Sequence, residues 1–352
     1  MLKALFTSIF ALLVLAVLPA TAQVVRLPSV IDEELPRQHP WAAAADWPAS
    51  DSGAPGSVPM YSTGPARTLP ASYSDDVTQP MVPDTGPTAA PAKPAGAKSG
   101  VLQQIAVTET WIPRGDTGLG FNDLATQAVF GFPFFTREAP LVLTPAYEIH
   151  YVDGPTVPDL PPRLHDASFQ IRHMRKVSPL WGIDLAITPG WHGDFEADSG
   201  KTFRLPARVV TAYDWSPTTQ LILGIAYLDR EDVDFLPVGG IILSPDDATR
   251  VEAIFPRPRI ARRFGFDGSI EDWVYLAGEF GGGSYGITRA SGGPDVATLS
   301  DLRLITGIER KSPLLNARFE FGYVFAREIE YLSGTPTFEP DDTVMVRGGL
   351  WY

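Results

Sequence analysis

The sequence predicts an all-β fold, an antiparallel transmembrane β-barrel with an even number of strands, about 12–14, that follows a disordered Pro-rich arm. Three observations predict this fold. They are strands in which apolar and polar residues alternate, tight turns that alternate with long loops, and no apolar run after residue 22 that is long enough for a membrane helix. The last observation matters because lipid offers the backbone no hydrogen bonds, so only helices and closed barrels cross a bilayer.

The segment from Leu315 to Ala326 shows the alternation most plainly. A period of two places its apolar residues on one face of a strand and its polar residues on the other. The apolar face comprises Leu315, Ala317, Phe319, Phe321, Tyr323 and Phe325, and the opposite face Asn316, Arg318, Glu320 and Gly322. The chain ends on a similar strand, with Val344, Val346, Gly348, Leu350 and Tyr352 on one face. About ten residues of tilted strand suffice to cross a bilayer, so both segments are long enough.

Other segments show the same alternation of apolar and polar residues. They are Leu124 to Phe135, Leu141 to Val152, Ala167 to Lys176, Trp181 to His192, Phe203 to Trp215, Gln220 to Asp229, Leu236 to Leu243, Arg250 to Phe264, Asp272 to Thr288 and Leu302 to Glu309. Their number and spacing are typical of a barrel, and helical periodicity is absent from this part of the sequence.

The turns between these segments fall into two kinds. Tight Ser-Pro turns are predicted at Ser178-Pro179, Ser216-Pro217, Ser244-Pro245 and Ser312-Pro313, and long loops at Asp153 to Arg163, Asp194 to Lys201, Arg289 to Thr298 and Ser333 to Asp342. Short turns at one end and long loops at the other are the asymmetry of outer-membrane barrels. Short turns and long loops alternate consistently along the whole chain only if the chain also reverses direction at Phe255 to Pro258. Two prolines lie there, and proline is not accommodated in the interior of a paired strand.

Three regions divide the chain. Residues 1–22 carry Lys3, an apolar run and an Ala-Thr-Ala cleavage site, which predicts a signal peptide rather than a short anchoring helix. Residues 23–100 are rich in Pro and Ala and are predicted to form a disordered periplasmic arm. Residues 101–352 are predicted to form the barrel. The chain has no Cys, which excludes a disulfide scaffold, and its net charge of −13 without a basic stripe disfavours nucleic acid as a partner.

Twelve charged residues on the polar faces of these strands are expected to face the lumen. A charge on the lipid face near the midplane would cost about 2–4 kcal/mol. The residues are Glu148, Arg172, Asp184, Arg204, Arg208, Asp214, Glu279, Arg303, Glu309, Arg318, Glu320 and Arg347. They fit either a wet, selective pore or a lumen closed by Arg-carboxylate networks, and their nearly balanced signs favour the second interpretation slightly.

Aromatic residues near strand ends are predicted to form the interfacial girdles of the barrel. These are Trp181, Tyr213, Trp215, Trp273, Tyr323 and Trp351. The glycine-rich stretch Gly281 to Gly286 lacks the Lys and Ser/Thr of a phosphate loop, so we interpret it as a place where a strand bends or another backbone approaches closely.

The sequence contains few signs of a catalytic or metal-binding site. His192 and Asp194 lie together at a strand end beside a long loop, as in a hydrolase with a site at the barrel rim, but no G-x-S-x-G motif accompanies them. The five histidines do not show an H-E-x-x-H spacing. The sequence therefore predicts no catalytic residue, no metal site and no cofactor.

Several motifs resemble an uncharacterised family of outer-membrane β-barrel proteins, known as a domain of unknown function. The resemblance lies in FLPVGGIILSPDD (235–247), EAIFPRPRIARRF (252–264), EFGGGSYGI (279–287), LNARFEFGYVFAREIEY (315–331) and DDTVMVRGGLWY (341–352). It implies a barrel in outer-membrane lipid, and a closing strand with Val344, Val346, Leu350 and Tyr352 as the signature read by the barrel-assembly machinery. The expected function is a passive channel for small solutes or a structural barrel. The alternatives are an outer-membrane enzyme with a rim site and a soluble secreted β-sandwich.

Overall fold

The computed structural model describes residues 101–352, apart from residues 116, 117, 135 and 198. The predicted signal peptide (1–22) and arm (23–100) lie outside the described residues. Within the described part of the chain, no helix combines the length and the apolar composition needed to cross a bilayer. The strands are β1 (Leu102–Ile112), β2 (Gly120–Phe134), β3 (Thr136–Asp153), β4 (Arg163–Lys176), β5 (Trp181–Ile187), β6 (Gly190–Gly193), β7 (Phe203–Arg204), β8 (Ala207–Ser216), β9 (Thr219–Tyr227), β10 (Phe235–Asp246), β11 (Thr249–Phe255), β12 (Arg259–Phe266), β13 (Glu271–Thr288), β14 (Pro294–Lys311), β15 (Asn316–Tyr331) and β16 (Thr343–Trp351), with one helical turn, α1 (Ser199–Thr202).

Fourteen of these strands close into an antiparallel barrel. Each barrel strand pairs with its neighbours in chain order, and the circle is completed by β1 and β16, where Ala106 lies opposite Trp351. The short segments β6 and β7 continue the β5–β8 hairpin beyond a break at Thr188-Pro189 and Leu205-Pro206. Closure removes every strand edge from the main wall, as a membrane barrel requires.

The connections differ at the two ends of the barrel. At the end where the chain stops, here called the terminal end, the links are short: 177–180, 217–218, 247–248, 267–270 and 312–315. At the opposite, or loop, end they include 154–162, 194–202, 228–234 and 332–342. The predicted asymmetry is therefore present. The reversal predicted at Phe255 to Pro258 is also present, since residues 256–258 separate β11 from β12.

Two strand predictions were wrong. The sequence analysis missed β1 (Leu102–Ile112), although its exposed Ile105, Val107 and Trp111 alternate with buried residues. It also predicted a long loop at Arg289 to Thr298, but β14 begins at Pro294, so only residues 289–293 link β13 to β14. The reason is that this hairpin continues past the barrel wall with both faces buried, which removes the period-two signal.

The outer surface is apolar along each side of the barrel. On β15, Phe319, Phe321 and Tyr323 are each about half exposed, while Glu320 between them is 4% exposed. Leu350 on β16, and Tyr352 directly after this strand, are each about half exposed as well. Trp181 and Trp215 are exposed at the terminal end, as expected for a girdle, but the prediction for Trp351 was wrong, because its side chain is buried on the inner face. Parity along β16 decides this, since Trp351 shares a face with Arg347.

The inner surface carries ion pairs between strands that are not neighbours. Arg347 on β16 pairs with Glu279 on β13, although β14 and β15 lie between these strands in the wall. Such a contact is possible only across the interior. Strands β8 to β11 also bury an apolar cluster that contains Val210, Ile222, Val238 and Ile242.

The loop end is crossed by the distal part of the β13–β14 hairpin (283–299), here called the inward hairpin. Strand β13 lies opposite β4 in the barrel, with six strands between them by either route. Nevertheless Gly286 of β13 bridges to Gly193 of β6, and β6 pairs with β4. Residues 283–287 and 295–299 are buried without interruption. The hairpin therefore spans the lumen from one wall to the other.

Glycines make this crossing possible. Gly282 has a φ of 94°, and a Cβ on it would collide with the carbonyl oxygen of Leu299. A Cβ on Gly286 would lie 2.6 Å from Thr202 Cγ2. The segment Gly281 to Gly286 is thus a bent strand in close backbone contact, as the sequence analysis expected.

Candidate functional site

Five buried titratable side chains meet beneath the inward hairpin, and we call them the histidine-carboxylate cluster. They are Asp123 on β2, Glu148 and His150 on β3, Asp166 on β4 and His192 on β6. Strand register brings them together, because Asp123 lies opposite His150, Glu148 opposite Asp166, and Asp166 opposite His192. Since cross-strand partners share a face of the sheet, all five point into the barrel.

Asp166 joins the two imidazoles of the cluster. Its Oδ1 lies 2.7 Å from His192 Nδ1, and its Oδ2 lies 3.0 Å from His150 Nε2. The other nitrogen of His150, Nδ1, lies 2.8 Å from Asp123 Oδ1 and 3.8 Å from Glu148 Oε1. One imidazole is therefore placed between three carboxylates, each of which is less than 9% exposed.

The inward hairpin covers the cluster with Tyr285. The hydroxyl of Tyr285 lies 3.4 Å from His150 Nε2 and 3.4 Å from Asp166 Oδ2. Its ring packs edge-on against the His150 ring, with centroids 5.6 Å apart. Tyr285 belongs to an apolar cluster that separates the site from the loop end. The cluster also contains Leu119, Leu164, Ile287 and Ala297.

A serine lies next to the histidine end of the cluster. Ser168 follows Asp166 by two residues on β4, so the two side chains share a face, and it lies opposite Gly190. Ser168 Cβ and His192 Nε2 lie 2.9 and 2.7 Å from the point that a Cβ on Gly190 would occupy. Ser168 Oγ is buried and makes no hydrogen bond among the described residues. Ser168 therefore lies beside the hydrogen-bonded pair of Asp166 and His192.

Eleven of the twelve charged residues predicted for the lumen form ion pairs. Arg347 pairs with Glu279 and Glu320, Arg303 with Glu279, and Arg318 with Glu320; Arg172 and Arg208 pair with Asp184, Arg204 with Glu231, Lys176 with Asp214, and Arg259 with Glu309. The twelfth, Glu148, lies with its Oε1 3.8 Å from His150 Nδ1. Of the twelve, only Glu148 belongs to the histidine-carboxylate cluster. The others form ion pairs outside this cluster.

Sequence reasoning missed five residues of this site: Asp123, His150, Asp166, Ser168 and Tyr285. It paired His192 with Asp194, whereas Asp194 accepts hydrogen bonds from Thr288 N at 2.6 Å and from nearby loop amides. The only local signal was that Glu148 and His150, and likewise Asp166 and Ser168, are spaced by two and so share a strand face. Which strands stand side by side could not be read from spacing within one strand.

Comparisons with known proteins identify no family. No family model matches the chain, and no curated protein matches it. Solved structures to which the chain shows similarity include the NanC porin, 7% identical over 70% of this chain and 98% of the porin, with a TM-score of 0.32. Others are a deletion mutant of the TodX monoaromatic hydrocarbon channel (8% identity, 71% and 88% coverage, TM-score 0.32) and Omp33 of Acinetobacter baumannii (7%, 72% and 99%, TM-score 0.26). The assignment of a barrel is therefore based on the strand pairing within this chain.

Proposed function

We propose that the chain is an outer-membrane β-barrel that acts as a gated channel for small solutes, and that the inward hairpin is its gate. The observation that carries the proposal is the hairpin itself, which crosses the lumen from β13 to the β4–β6 wall. The apolar outer surface supports a place in lipid, since a soluble barrel would not expose Phe319, Phe321, Tyr323 and Leu350 together.

Barrel width supports a channel rather than a filled barrel. Side chains alone fill the interior of barrels with about 8 strands, whereas barrels with about 16–18 strands leave an aqueous lumen. Fourteen strands lie nearer the second case. A segment that folds inward is therefore needed to close the lumen, and its removal would leave space for solutes.

The contacts of the inward hairpin suit a gate because many of them are polar. Arg230 Nη2, in the β9–β10 loop, donates to the carbonyl of Leu299 at 3.0 Å, and the amide of Glu231 donates to Ser284 Oγ at 3.2 Å. Water can replace such bonds at small net cost, about 0.5–1.5 kcal/mol each. These polar contacts can therefore be exchanged with water without unfolding the barrel.

The test compares the wild-type chain with a variant in which residues 283–299 are replaced by a short turn. The retained parts of β13 and β14 still pair along the wall, because their register is continuous from Glu271↔Lys311 to Gly282↔Ser300. In planar bilayers the wild-type protein should show rare, small current steps, and the variant should show frequent, larger steps. Arg310→Ala, at the terminal end, serves as a control that should behave like wild type.

Two results would overturn the proposal. One is a folded variant, shown by a band shift between unboiled and boiled samples, that conducts no better than wild type; the chain would then be a structural barrel. The other is wild-type protein that already conducts as freely as the variant, because the hairpin would not then close the lumen.

A second candidate function, ester hydrolysis, is favoured by the placement of Ser168 beside the hydrogen-bonded pair of Asp166 and His192. Asp166 orients His192 through Nδ1 at 2.7 Å, which leaves Nε2 on the side of Ser168. In a serine hydrolase, the imidazole accepts the serine proton, and the carboxylate stabilises the resulting imidazolium. A serine-reactive fluorophosphonate and a nitrophenyl ester would test it. Loss of labelling and turnover in Ser168→Ala and His192→Ala, but not in Ser269→Ala, is expected; equal signals in all variants would exclude this candidate.

A further inference from the structure

We propose that Asp123, Glu148 and His150 bind a divalent transition-metal ion, with zinc as the ion that fits best. Each offers one ligand atom, and the three atoms lie within 4.8 Å of one another in a buried part of the barrel. This inference does not depend on the proposed channel, because it concerns the cluster beneath the hairpin and not conduction.

The first argument is the proton count of His150. Its Nε2 faces Asp166 at 3.0 Å and its Nδ1 faces Asp123 at 2.8 Å. A neutral imidazole has one N–H, so one of these contacts would place a nitrogen lone pair against a carboxylate oxygen. Either a second proton or a metal ion at Nδ1 removes this conflict. A proton on His150 Nδ1 would form a hydrogen bond with Asp123 alone. A metal ion placed between His150 Nδ1 and the carboxylate oxygens of Asp123 and Glu148 would bind all three residues.

The second argument is the placement of Asp166. Metal-binding histidines generally donate their other N–H to a carboxylate, which fixes the tautomer and the ring orientation. Asp166 is the carboxylate that faces the Nε2 atom of His150. Asp166 also accepts hydrogen bonds from His192 at 2.7 Å and from the Tyr285 hydroxyl. His150 is therefore oriented with Nδ1 toward the two remaining carboxylates, as a metal ligand would be.

The third argument is local charge. Glu148 and Asp166 are cross-strand partners, and like charges directly opposite one another on a sheet are destabilising. Arg303 forms its ion pairs with Glu279 and Asp301, and Arg230 forms its ion pair with Asp232 and donates to the Leu299 carbonyl. A bound divalent cation would offset two of the three negative charges that Asp123, Glu148 and Asp166 bring to this buried site.

The ligand set indicates the class of ion. Imidazole nitrogen favours zinc and other transition ions, whereas calcium and magnesium prefer oxygen ligands alone. Zinc lies about 2 Å from nitrogen and oxygen ligands. The separations of His150 Nδ1 from Asp123 Oδ1 and Glu148 Oε1, 2.8 and 3.8 Å, bracket the spacing of ligand atoms around one such ion.

The test uses the full barrel in detergent, stripped with a chelator, dialysed and titrated with zinc chloride. Calorimetry and elemental analysis should give one zinc per chain, and zinc should raise the thermal unfolding midpoint reversibly. His150→Ala should abolish binding, and Glu148→Gln, which keeps the side-chain shape, should weaken it at least tenfold. Asp166→Asn should lower affinity by about 10–100-fold with unchanged stoichiometry, as expected for a residue that orients a ligand.

His173→Ala is the matched control, because His173 contacts Phe134 and the Pro140 carbonyl on another part of β4. It should bind zinc as wild type does. Absence of zinc binding to folded wild-type protein would overturn the proposal and assign the cluster to a protonated His150. Binding that survives both His150→Ala and Glu148→Gln, or that calcium supports equally well, would also overturn it.

Discussion

Arg347 Nη2 on β16 donates to Glu279 Oε1 on β13 at 2.9 Å, across the interior and past two intervening strands. The same guanidinium donates through Nη1 to Glu279 and to Glu320, both at 3.1 Å, and through Nε to Thr110 at 3.2 Å. Arg347 is 1% exposed, so its charge is stabilised almost entirely by these partners. It links four strands of the barrel from inside.

Replacement of Arg347 by Ala should destabilise the barrel strongly. It would leave Glu279 and Glu320 as buried carboxylates beside each other, and loss of one partner of a buried pair costs about 3–5 kcal/mol. Urea unfolding in detergent or liposomes would measure the loss. Arg310→Ala, which removes an exposed pair with Asp272, should leave the unfolding curve unchanged. Similar stabilities for the two variants would show that the interior network contributes little.

The bend at Gly282 should not tolerate a side chain. Gly282→Ala places a Cβ against the Leu299 carbonyl at a φ of 94°, which should cost the inward hairpin about 1–3 kcal/mol. Gly293→Ala is the matched control, because nothing lies within 4 Å of its Cβ position. Limited proteolysis should cut the hairpin of Gly282→Ala faster than that of wild type or Gly293→Ala. Equal cleavage of all three would refute the strained bend.

Acid should release a contact that holds the inward hairpin at the loop end. Asp159, in the β3–β4 loop, accepts a hydrogen bond from the Ala290 amide at 2.6 Å and pairs with Arg289 at 2.8 Å. The Ala290 hydrogen bond, together with the charge of Arg289, lowers the pKa of Asp159 from its ordinary value of 3.8. Because the folded-state pKa is lowered, this stabilisation is present above pH 3.8 and is lost as the pH falls through the lowered value.

Hydrogen exchange of the amides at 289–293 would detect this release. After correction for the intrinsic rate, exchange should rise as the pH falls below the ordinary pKa. Asp159→Asn should show the faster exchange already at neutral pH. Asp267→Asn, which changes a terminal-end turn whose carboxylate also accepts backbone amides, should not alter it. Unchanged exchange in Asp159→Asn would mean that this carboxylate does not hold the loop.

The outward aromatic face should be sensitive to charge in the middle of a strand. Phe321→Arg places a cation on the outer face of β15, which costs about 2–4 kcal/mol near the bilayer midplane. Leu314→Arg, in the exposed turn at 312–315, should cost no more than about 1 kcal/mol, because it lies near the interface. The free energy of folding into liposomes is the measurement. A Phe321→Arg variant that folds as well as Leu314→Arg would contradict a lipid-facing surface.

The barrel could be predicted from the sequence because each wall strand carries its own signal. Phe319 and Phe321 alternate with Arg318 and Glu320 whatever lies beside them, and the prolines at 256 and 258 end a strand without help from the rest of the chain. The site could not be predicted in the same way. Asp123, His150, Asp166 and His192 come from four strands, and only the register between those strands brings them together.

The sequence by itself determined the fold class, the asymmetry of the connections and the charged inner face, because period-two alternation and turn chemistry are local properties. The tertiary structure alone decided that β13 and β14 leave the wall and cross to β4 and β6. It also decided that His150 stands between three carboxylates. The physical reason is that a strand buried on both faces loses its alternation, and that barrel closure sets which distant residues meet across the lumen.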